Sequence, residues 1–431
     1  MSIENLITNL FNIELEKIKK IDSIVQSDGS IIVKITLVPE EIKCKFCKNK
    51  MNIHDYTQRK LTHSTFVNRK CTIYYRQRRY ICKECEITYK EKNPFTKTTE
   101  NLTIETKVNV LKDLKYVNET YTSVARRYNL SITQVQRIFD KHVKIVRKQL
   151  PEVLSIDEHY FPESTYDSLY CCLLMDFKTG MLIDVLPDRK KDYLISYFSN
   201  IKNKTLNYEN GTSELNNVKF ISMDLYEPYR SIAKTYFPHT IICADQFHVL
   251  KHLNEGFRKV RIKCRRNTKD ENMQYLLVKF KFIFNHNFNL DNEPKMNKRF
   301  DRYMNYRDII EMLFTHFPEL KKAYELKESY MTFNDTSNTE NAKERLADQI
   351  KKFADSNVKE YDEFYNLMIN WNREIINSFS IVNDRRINNS YIESRNSLLE
   401  KLIYNANGFK NYKRTRNRIL YCINKKDTYS I

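Results

Sequence analysis

Residues 153–161 read VLSIDEHYF, and two similar runs follow, SLYCCLLMDF at 168–177 and MLIDVLP at 181–187. Each run is short and rich in apolar or β-branched side chains, and turn-like polar residues separate the three. This pattern predicts three consecutive β-strands joined by short connections.

Helices and strands alternate in the residues that follow. The pattern predicts helices at 191–201 and 227–237, and strands at 218–224 and 239–245. Three strands followed by this alternation favour a mixed sheet with helices on its faces, in a multidomain protein that combines α/β and α+β units. Residues from about 265 to 375 are charged and favour helices without a clear strand, so we expect an all-α insertion there.

The charge balance is strongly basic. The chain of 431 residues carries 73 Lys and Arg against 54 Asp and Glu, a formal net charge of +19. Such an excess predicts a polyanionic partner, most commonly nucleic acid, although a merely basic soluble protein is the alternative. We see no signal peptide and no apolar stretch of transmembrane length, so we expect a cytoplasmic protein with no membrane partner and with reduced cysteines.

Two cysteine pairs, Cys44-x-x-Cys47 and Cys82-x-x-Cys85, have the spacing of a zinc site. Four thiolates close a tetrahedral Zn²⁺ site, which leaves no open position for catalysis and therefore indicates a structural role. Residues 63–82 resemble a hairpin that would bring the pairs together in a zinc-ribbon-like domain. The alternative is four reduced core cysteines.

Basic side chains precede the second cysteine pair. Arg76, Arg78 and Arg79 lie in the run YRQRRY, where they are candidates for contact with DNA phosphates. A solvated strand face would explain them equally well.

Residues 121–143, YTSVARRYNLSITQVQRIFDKHV, have the pattern of a helix-turn-helix. We expect a turn at 128–130 and a second helix capped by Ser131. The inward side chains would be Val124, Ala125, Tyr128, Val135, Ile138 and Phe139. The outward side chains, available to base edges and phosphates, would be Thr133, Gln134, Gln136 and Arg137. The alternative is a helical bundle that only joins domains.

The chain's last part mixes aromatic and basic side chains at helical spacing. They are Phe409, Tyr412, Lys413, Arg414, Arg416 and Arg418. A helix of this kind can follow phosphates and stack on bases, but an ordinary solvated basic helix has the same composition.

Three acidic residues are candidates for phosphodiester chemistry, which commonly uses two divalent metal ions held by carboxylates. Asp157 and Asp224 lie in or directly after predicted strands, and Glu393 lies on a polar helical stripe with Asn389 and Asn396. For any one of these acids alone, a surface carboxylate is the simpler explanation.

Three stretches together resemble the ISL-three family of insertion-sequence transposases. They are LSIDEHYF at 154–161, ISMDLYEPYRSIAKTYFPHTIICADQFHVLKHLNEGFRKVR at 221–261 and NNSYIESRNSLLEKLIYNANGFKNYKRTRNRIL at 388–420. The cysteine pairs and the predicted helix-turn-helix resemble that family's amino-terminal region. The sequence departs from the family pattern at Gln246, usually Arg, at Ser390 and Ser394, near a usual Gly, and at His159, usually apolar.

The resemblance implies an RNase H-like core in which Asp157, Asp224 and Glu393 bind Mg²⁺ or Mn²⁺ and catalyse DNA cleavage and strand transfer. It also implies double-stranded DNA as the partner, both the element's terminal inverted repeats and the target. Because two element ends must be held together, a homodimer or higher oligomer is expected, in the bacterial cytoplasm on the nucleoid. The alternatives are a non-catalytic DNA-binding regulator and a nuclease that cuts without joining.

Asp245-x-x-His248 is similar to a motif of Mutator-like transposases. It could support the active site, or Asp245 could simply cap a helix beside a packed histidine. A separate metal site with His252 is a further alternative. Counted from Val153, Asp224 ends the fourth predicted strand, which lies beside the first in an RNase H-like sheet, whereas Asp245 ends the fifth. Capping would also explain Asp245 without chemistry. Asp224 is therefore preferred as the second catalytic aspartate, with Asp245 and His248 in a supporting role.

Five segments are expected. They are a zinc-binding domain at 1–100, a helix-turn-helix at 101–150, the first part of the catalytic core at 151–255, a helical insertion at 256–375, and the closing core helix with a basic tail at 376–431.

Overall fold

The computed structural model describes residues 11, 13–66, 69–97, 100–161, 168–205, 213–406 and 411–431. Phe409 lies outside this part of the chain. The chain divides into two compact units, one of residues 1–146 with 398–431 and one of residues 147–397.

The strands of the described residues form two five-stranded sheets and two short hairpins. In chain order they are β1 (Ile18–Val25), β2 (Ile31–Leu37), β3 (Asn52–Phe66), β4 (Arg69–Ile81), β5 (Thr88–Lys90), β6 (Val153–Tyr160), β7 (Tyr170–Asp176), β8 (Leu182–Leu186), β9 (Phe220–Met223), β10 (Ile241–Ala244), β11 (Lys295–Asn297), β12 (Arg302–Met304), β13 (Ile381–Val382) and β14 (Arg385–Arg386).

The described α-helices lie in both units. They are α1 (Ile104–Asp113), α2 (Tyr121–Tyr128), α3 (Ile132–His142), α4 (Lys191–Thr205), α5 (Glu227–Tyr236), α6 (Gln246–Asn267), α7 (Glu271–Lys279), α8 (Tyr306–His316), α9 (Pro318–Thr336), α10 (Ala342–Asp355), α11 (Asp362–Asn370), α12 (Asn372–Asn377), α13 (Ser390–Ala406) and α14 (Tyr412–Ile423). In the described part of the chain, no helix is long and apolar enough to cross a membrane.

The first unit is built on the hairpin of β3 and β4, in a sheet of order β1-β2-β4-β3 with β5 also paired to β4. Period-two alternation along β4 buries Cys71, Ile73 and Tyr75 completely. Cys71 is therefore a core residue. The register pairs Asn52 with Ile81, so the chain segments that carry the two cysteine pairs leave the hairpin at the same end.

A helical cluster of α1, α2, α3 and α14 completes the first unit. All six side chains expected to point inward from α2 and α3 are buried, and Tyr421 of α14 packs in the same core. Ser131 caps α3 as predicted, because its hydroxyl accepts a 3.2 Å hydrogen bond from the Gln134 amide. Asn129 adopts φ +52° in the turn between the helices, a conformation that asparagine tolerates well.

The second unit contains the predicted mixed sheet, in the order β10-β9-β6-β7-β8. β6, β7 and β8 are antiparallel neighbours, whereas β9 runs parallel to β6 and β10 runs parallel to β9. Leu154 and Ile156 of β6 lie in an apolar core with residues of α4, α5 and α6. Because strand side chains alternate, Ser155 and Asp157 lie on the opposite face.

The insertion is helical from α7 to α12, but it also contains the hairpin of β11 and β12. The expectation of an all-α insertion is wrong in this respect. Asp301 adopts φ +49° between the two strands, and the Asn297 side chain accepts a hydrogen bond from the Arg299 amide. This local turn chemistry closes a hairpin whose strands are too short for a period-two signal.

The last predicted segment, 376–431, is divided between the two units. Residues 398–431 group with the front of the chain because Tyr421 of α14 packs in the core of α1 to α3, with Tyr429 and Ile431 packed against the same core. The finer boundaries at 100, 150, 255 and 375 remain predictions.

Candidate active site and cysteine cluster

Three buried carboxylates lie in one row at the edge of the second sheet. The register pairs Met223 of β9 with Ile156 of β6 on one side and with Ala244 of β10 on the other. The next residue of each segment is an aspartate, namely Asp157, Asp224 and Asp245. They are only 4%, 6% and 1% exposed. Parallel strands end at the same edge, so three acids far apart in sequence become neighbours.

His248, in the first turn of α6, faces two of these acids. Its Nδ1 lies 2.8 Å from Oδ2 of Asp245 and 3.0 Å from Oδ1 of Asp224. The ring nitrogen carries at most one proton, and the hydrogen bond goes to Asp245. Asp224 Oδ1 is left buried without a hydrogen bond.

Asp245 does not cap α6, although it occupies the N-cap position. Its Oδ1 instead accepts a 3.1 Å hydrogen bond from the Asn389 amide, and its Oδ2 faces His248. The explanation by helix capping is therefore wrong. Among the described residues, the acids and histidines close enough to share a metal ion here are Asp224, Asp245 and His248, without His252.

The helix α13 and the residue before it reach the same row from the other side. Asn396 Nδ2 donates a 2.6 Å hydrogen bond to Asp157 Oδ2, and Asn389 Nδ2 donates to the Ile156 carbonyl at 3.4 Å. Glu393 lies between these asparagines and is half-buried. The sequence indicated the shared stripe of these three residues but gave no signal for the asparagine contacts.

Burial dominates the electrostatics of the row. It raises the pKa of Asp157, and it raises the pKa of Asp224 to about 9, with the neighbouring Asp157 charge as the next cause. The pKa of Glu393 is also raised, first by burial and then by the charges of Asp245 and Asp157. Carboxylate oxygens are hard ligands, and Asp224 Oδ1 is buried without a hydrogen bond, so the residues present fit a divalent cation.

A basic and aromatic cluster beside the row was missed in the sequence. Arg189 forms an ion pair with Glu158, the residue after Asp157, and its guanidinium lies 4.1 Å from the Tyr170 ring centre and 4.8 Å from that of Tyr226. No local pattern connects these residues, because the sheet brings them together.

A family model for ISL3 transposases matches residues 154–419, which is more than half of the chain. The chain belongs to the ISL3 transposase family. The matched range includes Asp157, Asp224, Asp245, His248 and Glu393 of this transposase. Membership implies an enzyme that acts on DNA. A search among curated proteins finds no match.

The four cysteines of the first unit form the second cluster of the transposase. Their sulfur atoms lie within 4.8 Å of one another, and Cys47 Sγ is 3.4 Å from Cys82 Sγ. Each pair is followed by a residue with positive φ, Lys48 at +64° and Glu86 at +53°, so the two turns have matching backbone shapes. Four sulfur donors from two such turns fit a tetrahedral Zn²⁺ ion.

The expectation that Arg78, in the basic run on β4, contacts DNA phosphates is wrong. Arg78 is 3% exposed, and it pairs with buried Glu91 at 2.6 Å and also donates to the Leu37 carbonyl. A side chain buried in this way cannot reach a DNA phosphate. Arg79 pairs with Asp55, whereas Arg76 is exposed and lies over the Tyr56 ring at 3.8 Å.

The residues expected to point outward from α3 differ in their exposure, and therefore in whether they can contact DNA. Thr133 and Arg137 are exposed, whereas the exposed Gln134 completes the helix cap through its side chain and Gln136 is half-buried. In α14, Lys413 is exposed. The other three basic candidates have protein partners. Arg414 donates to Asp140, and Arg416 donates to the Ile145 carbonyl. Arg418 is 2% exposed and donates to the carbonyls of Tyr116 and Glu119, so the expectation that it contacts DNA is wrong.

Proposed function

We propose that this chain is a DDE transposase that binds the terminal inverted repeats of an insertion element and moves it by cut-and-paste transposition. Asp157, Asp224 and Glu393 are the proposed catalytic residues. The observation that carries the proposal is the row of buried aspartates with Glu393 nearby on α13. The sheet order supports an RNase H-like core, because the first strand, β6, lies between the second and the fourth.

The proposed ligands of Mg²⁺ or Mn²⁺ are the carboxylates of Asp157, Asp224 and Glu393. When bound, the metal ions polarise the phosphate and activate the attacking oxygen. Asn396 keeps Asp157 oriented by its hydrogen bond, and Asn389 does the same for Asp245. Asp245 and His248 support the site from the side of β10.

The proposed reaction has two in-line displacements, each with inversion at phosphorus. In the first, a water oxygen attacks the phosphorus at the element end, and the bond from phosphorus to the 3′ oxygen breaks, which leaves a 3′-hydroxyl and a 5′-phosphate. In the second, that 3′ oxygen attacks a target phosphorus, its proton passes to solvent, and a target 3′ oxygen leaves. The same carboxylates serve both steps, because the transition states of both steps carry similar negative charge around the phosphorus atom.

The first unit is the proposed reader of the element ends. Its structural Zn²⁺ would hold the ends of β3 and β4, while α2 and α3 act as a helix-turn-helix. Thr133 and Arg137 are exposed for contact with DNA, and Arg76 and Lys413 are exposed for phosphates. Because two ends must be brought together, the working form is expected to be a dimer or larger assembly on DNA.

The decisive experiment is incubation of the full chain with duplexes of its own element ends and a target plasmid, with and without Mg²⁺ or Mn²⁺. Joined product in metal, lost in Asp157→Asn and Asp224→Asn but kept in Asp192→Asn, would support the proposal. Asp192 is a suitable control because it is an exposed aspartate in the first turn of α4. Cleavage without joining would indicate a nuclease, and end binding without cleavage would indicate a regulator.

A further inference from the structure

Asp224, Asp245 and His248 place three potential ligand atoms in the arrangement expected around one metal ion. His248 Nδ1 lies 3.0 Å from Asp224 Oδ1 and 2.8 Å from Asp245 Oδ2, and all three atoms lie within 4.8 Å of one another. In an octahedral site with bonds of about 2.1 Å, adjacent ligand atoms are about 3.0 Å apart. The two separations between His248 Nδ1 and the carboxylate oxygens therefore match adjacent corners of such a site.

The bonding of the two carboxylates also points to a missing cation. Asp224 is 6% exposed, and its Oδ1 faces His248 without receiving a hydrogen bond. Asp245 is held at Oδ1 by the Asn389 amide, which leaves Oδ2 directed at His248. A carboxylate fixed through one oxygen, with the other turned into the site, is the usual arrangement of a metal ligand.

A hydrogen-bonding role for His248 explains only part of this arrangement. One proton on Nδ1 can satisfy Asp245 or Asp224, but not both. A neutral imidazole would also leave two buried carboxylates close together without compensating charge, which is costly. A divalent cation would satisfy both oxygens at once and would use the nitrogen lone pair.

We propose that Asp224, Asp245 and His248 Nδ1 bind one divalent cation, with Asp224 shared between this ion and the Asp157 side of the site. The inference rests on the proposed function, since it assigns ligands to one of the metal ions of that reaction. An imidazole ligand favours Mn²⁺ over Mg²⁺, because affinity for nitrogen donors increases along the transition-metal series whereas Mg²⁺ prefers oxygen. Asp245 and His248 would then be direct ligands rather than supporting residues.

Pulsed electron paramagnetic resonance of Mn²⁺ bound to the zinc-loaded full chain tests this directly. An imidazole nitrogen bound to Mn²⁺ modulates the spin echo, so we expect a ¹⁴N coupling in the wild-type protein. His248→Asn should remove the coupling, because asparagine places an amide near the Nδ1 position but has no imidazole nitrogen. Mn²⁺ affinity should fall roughly 10-fold or more in this variant, with a smaller change for Mg²⁺.

His252→Asn is the matched control, since His252 is exposed one turn further along α6. It should keep both the coupling and the affinity. Asp245→Asn gives a second variant, and thermal unfolding checks that each protein is folded. The wild-type spectrum does not depend on any variant.

The outcomes separate the two proposals. Mn²⁺ bound without a ¹⁴N coupling, or with one that persists in His248→Asn, would overturn this inference and leave the proposed catalytic role of Asp157 and Asp224 intact. A wild-type protein that binds no Mn²⁺ would overturn both.

Discussion

The side-chain amide of Asn396 donates a 2.6 Å hydrogen bond to Oδ2 of Asp157, although 239 positions separate them in the chain. The bond links α13, which carries Glu393, to the central strand of the sheet. The placement of Glu393 near the aspartates therefore depends on a contact made one turn further along the same helix.

Asn396→Ala should lower metal-dependent cleavage about 10-fold to 100-fold, as is typical when a residue that orients a metal ligand is removed. End binding should be unchanged, and the Mn²⁺ concentration for half-maximal cleavage should rise. Ser397→Ala, on the exposed side of the helix, is the control. Cleavage that falls with no change in its dependence on Mn²⁺ would argue against a positioning role.

Asp224→Asn should stabilise the transposase at pH 8 when Mg²⁺ and Mn²⁺ are absent. Burial and the Asp157 charge raise the pKa of Asp224 to about 9 in the folded chain, against roughly 3.9 unfolded. The wild-type protein therefore loses stability as pH rises from about 4 to 9, whereas the neutral amide does not. Thermal unfolding at pH 5.5 and pH 8 in metal-depleted, zinc-retaining buffer measures this.

For that comparison, Asp192→Asn serves as the exposed control and should follow the wild-type profile. The difference between Asp224→Asn and wild type should be on the order of 2 kcal/mol or more at pH 8 and smaller at pH 5.5. A variant less stable than wild type at pH 8 would contradict the expectation.

Cys44→Ser should remove the bound zinc, of which we expect about one ion per chain, and with it the specific binding of element ends. Cys71→Ala should keep the zinc, because Cys71 lies in the strand core and burial raises the pKa of its thiol to about 11. Metal analysis of protein purified without chelator provides the measurement. Wild-type protein without zinc would rule out the assignment of the cluster.

Arg137→Ala should weaken binding to the element ends more than binding to unrelated DNA, by about 1–3 kcal/mol if Arg137 contacts a base. Titrations of labelled duplexes at two salt concentrations distinguish a base contact from a phosphate contact. Lys112→Ala, an exposed charge on α1, should affect both DNAs equally. Equal losses for Arg137→Ala would make it a phosphate contact.

Arg78→Met should destabilise the first unit by roughly 3–5 kcal/mol, because it leaves the Glu91 carboxylate buried without its positively charged partner. The effect should appear as a lower unfolding temperature of this unit and as loss of end binding through unfolding. Arg76→Met, at an exposed position on the same strand, should leave the unfolding temperature nearly unchanged. An Arg78→Met protein as stable as wild type would contradict the structural role.

The sequence by itself determined the elements and the chemistry that depends on local spacing. Short apolar and β-branched runs predicted β6 to β10, helical spacing predicted α2 and α3 with their buried faces, and two Cys-x-x-Cys pairs predicted the sulfur cluster. These features follow from neighbours a few residues apart, which the linear pattern contains. Asp157, Asp224, Asp245 and Glu393 could also be selected as candidates in this way.

Only the tertiary structure decided which candidates meet. The parallel pairing of β6, β9 and β10 places Asp245 in the same row as Asp157 and Asp224, so capping no longer explains it. Arg78 is basic and lies in an arginine-rich run, but the partner that buries it, Glu91, comes from a different segment. Register and burial depend on contacts between distant segments, and a pattern along one segment cannot contain them.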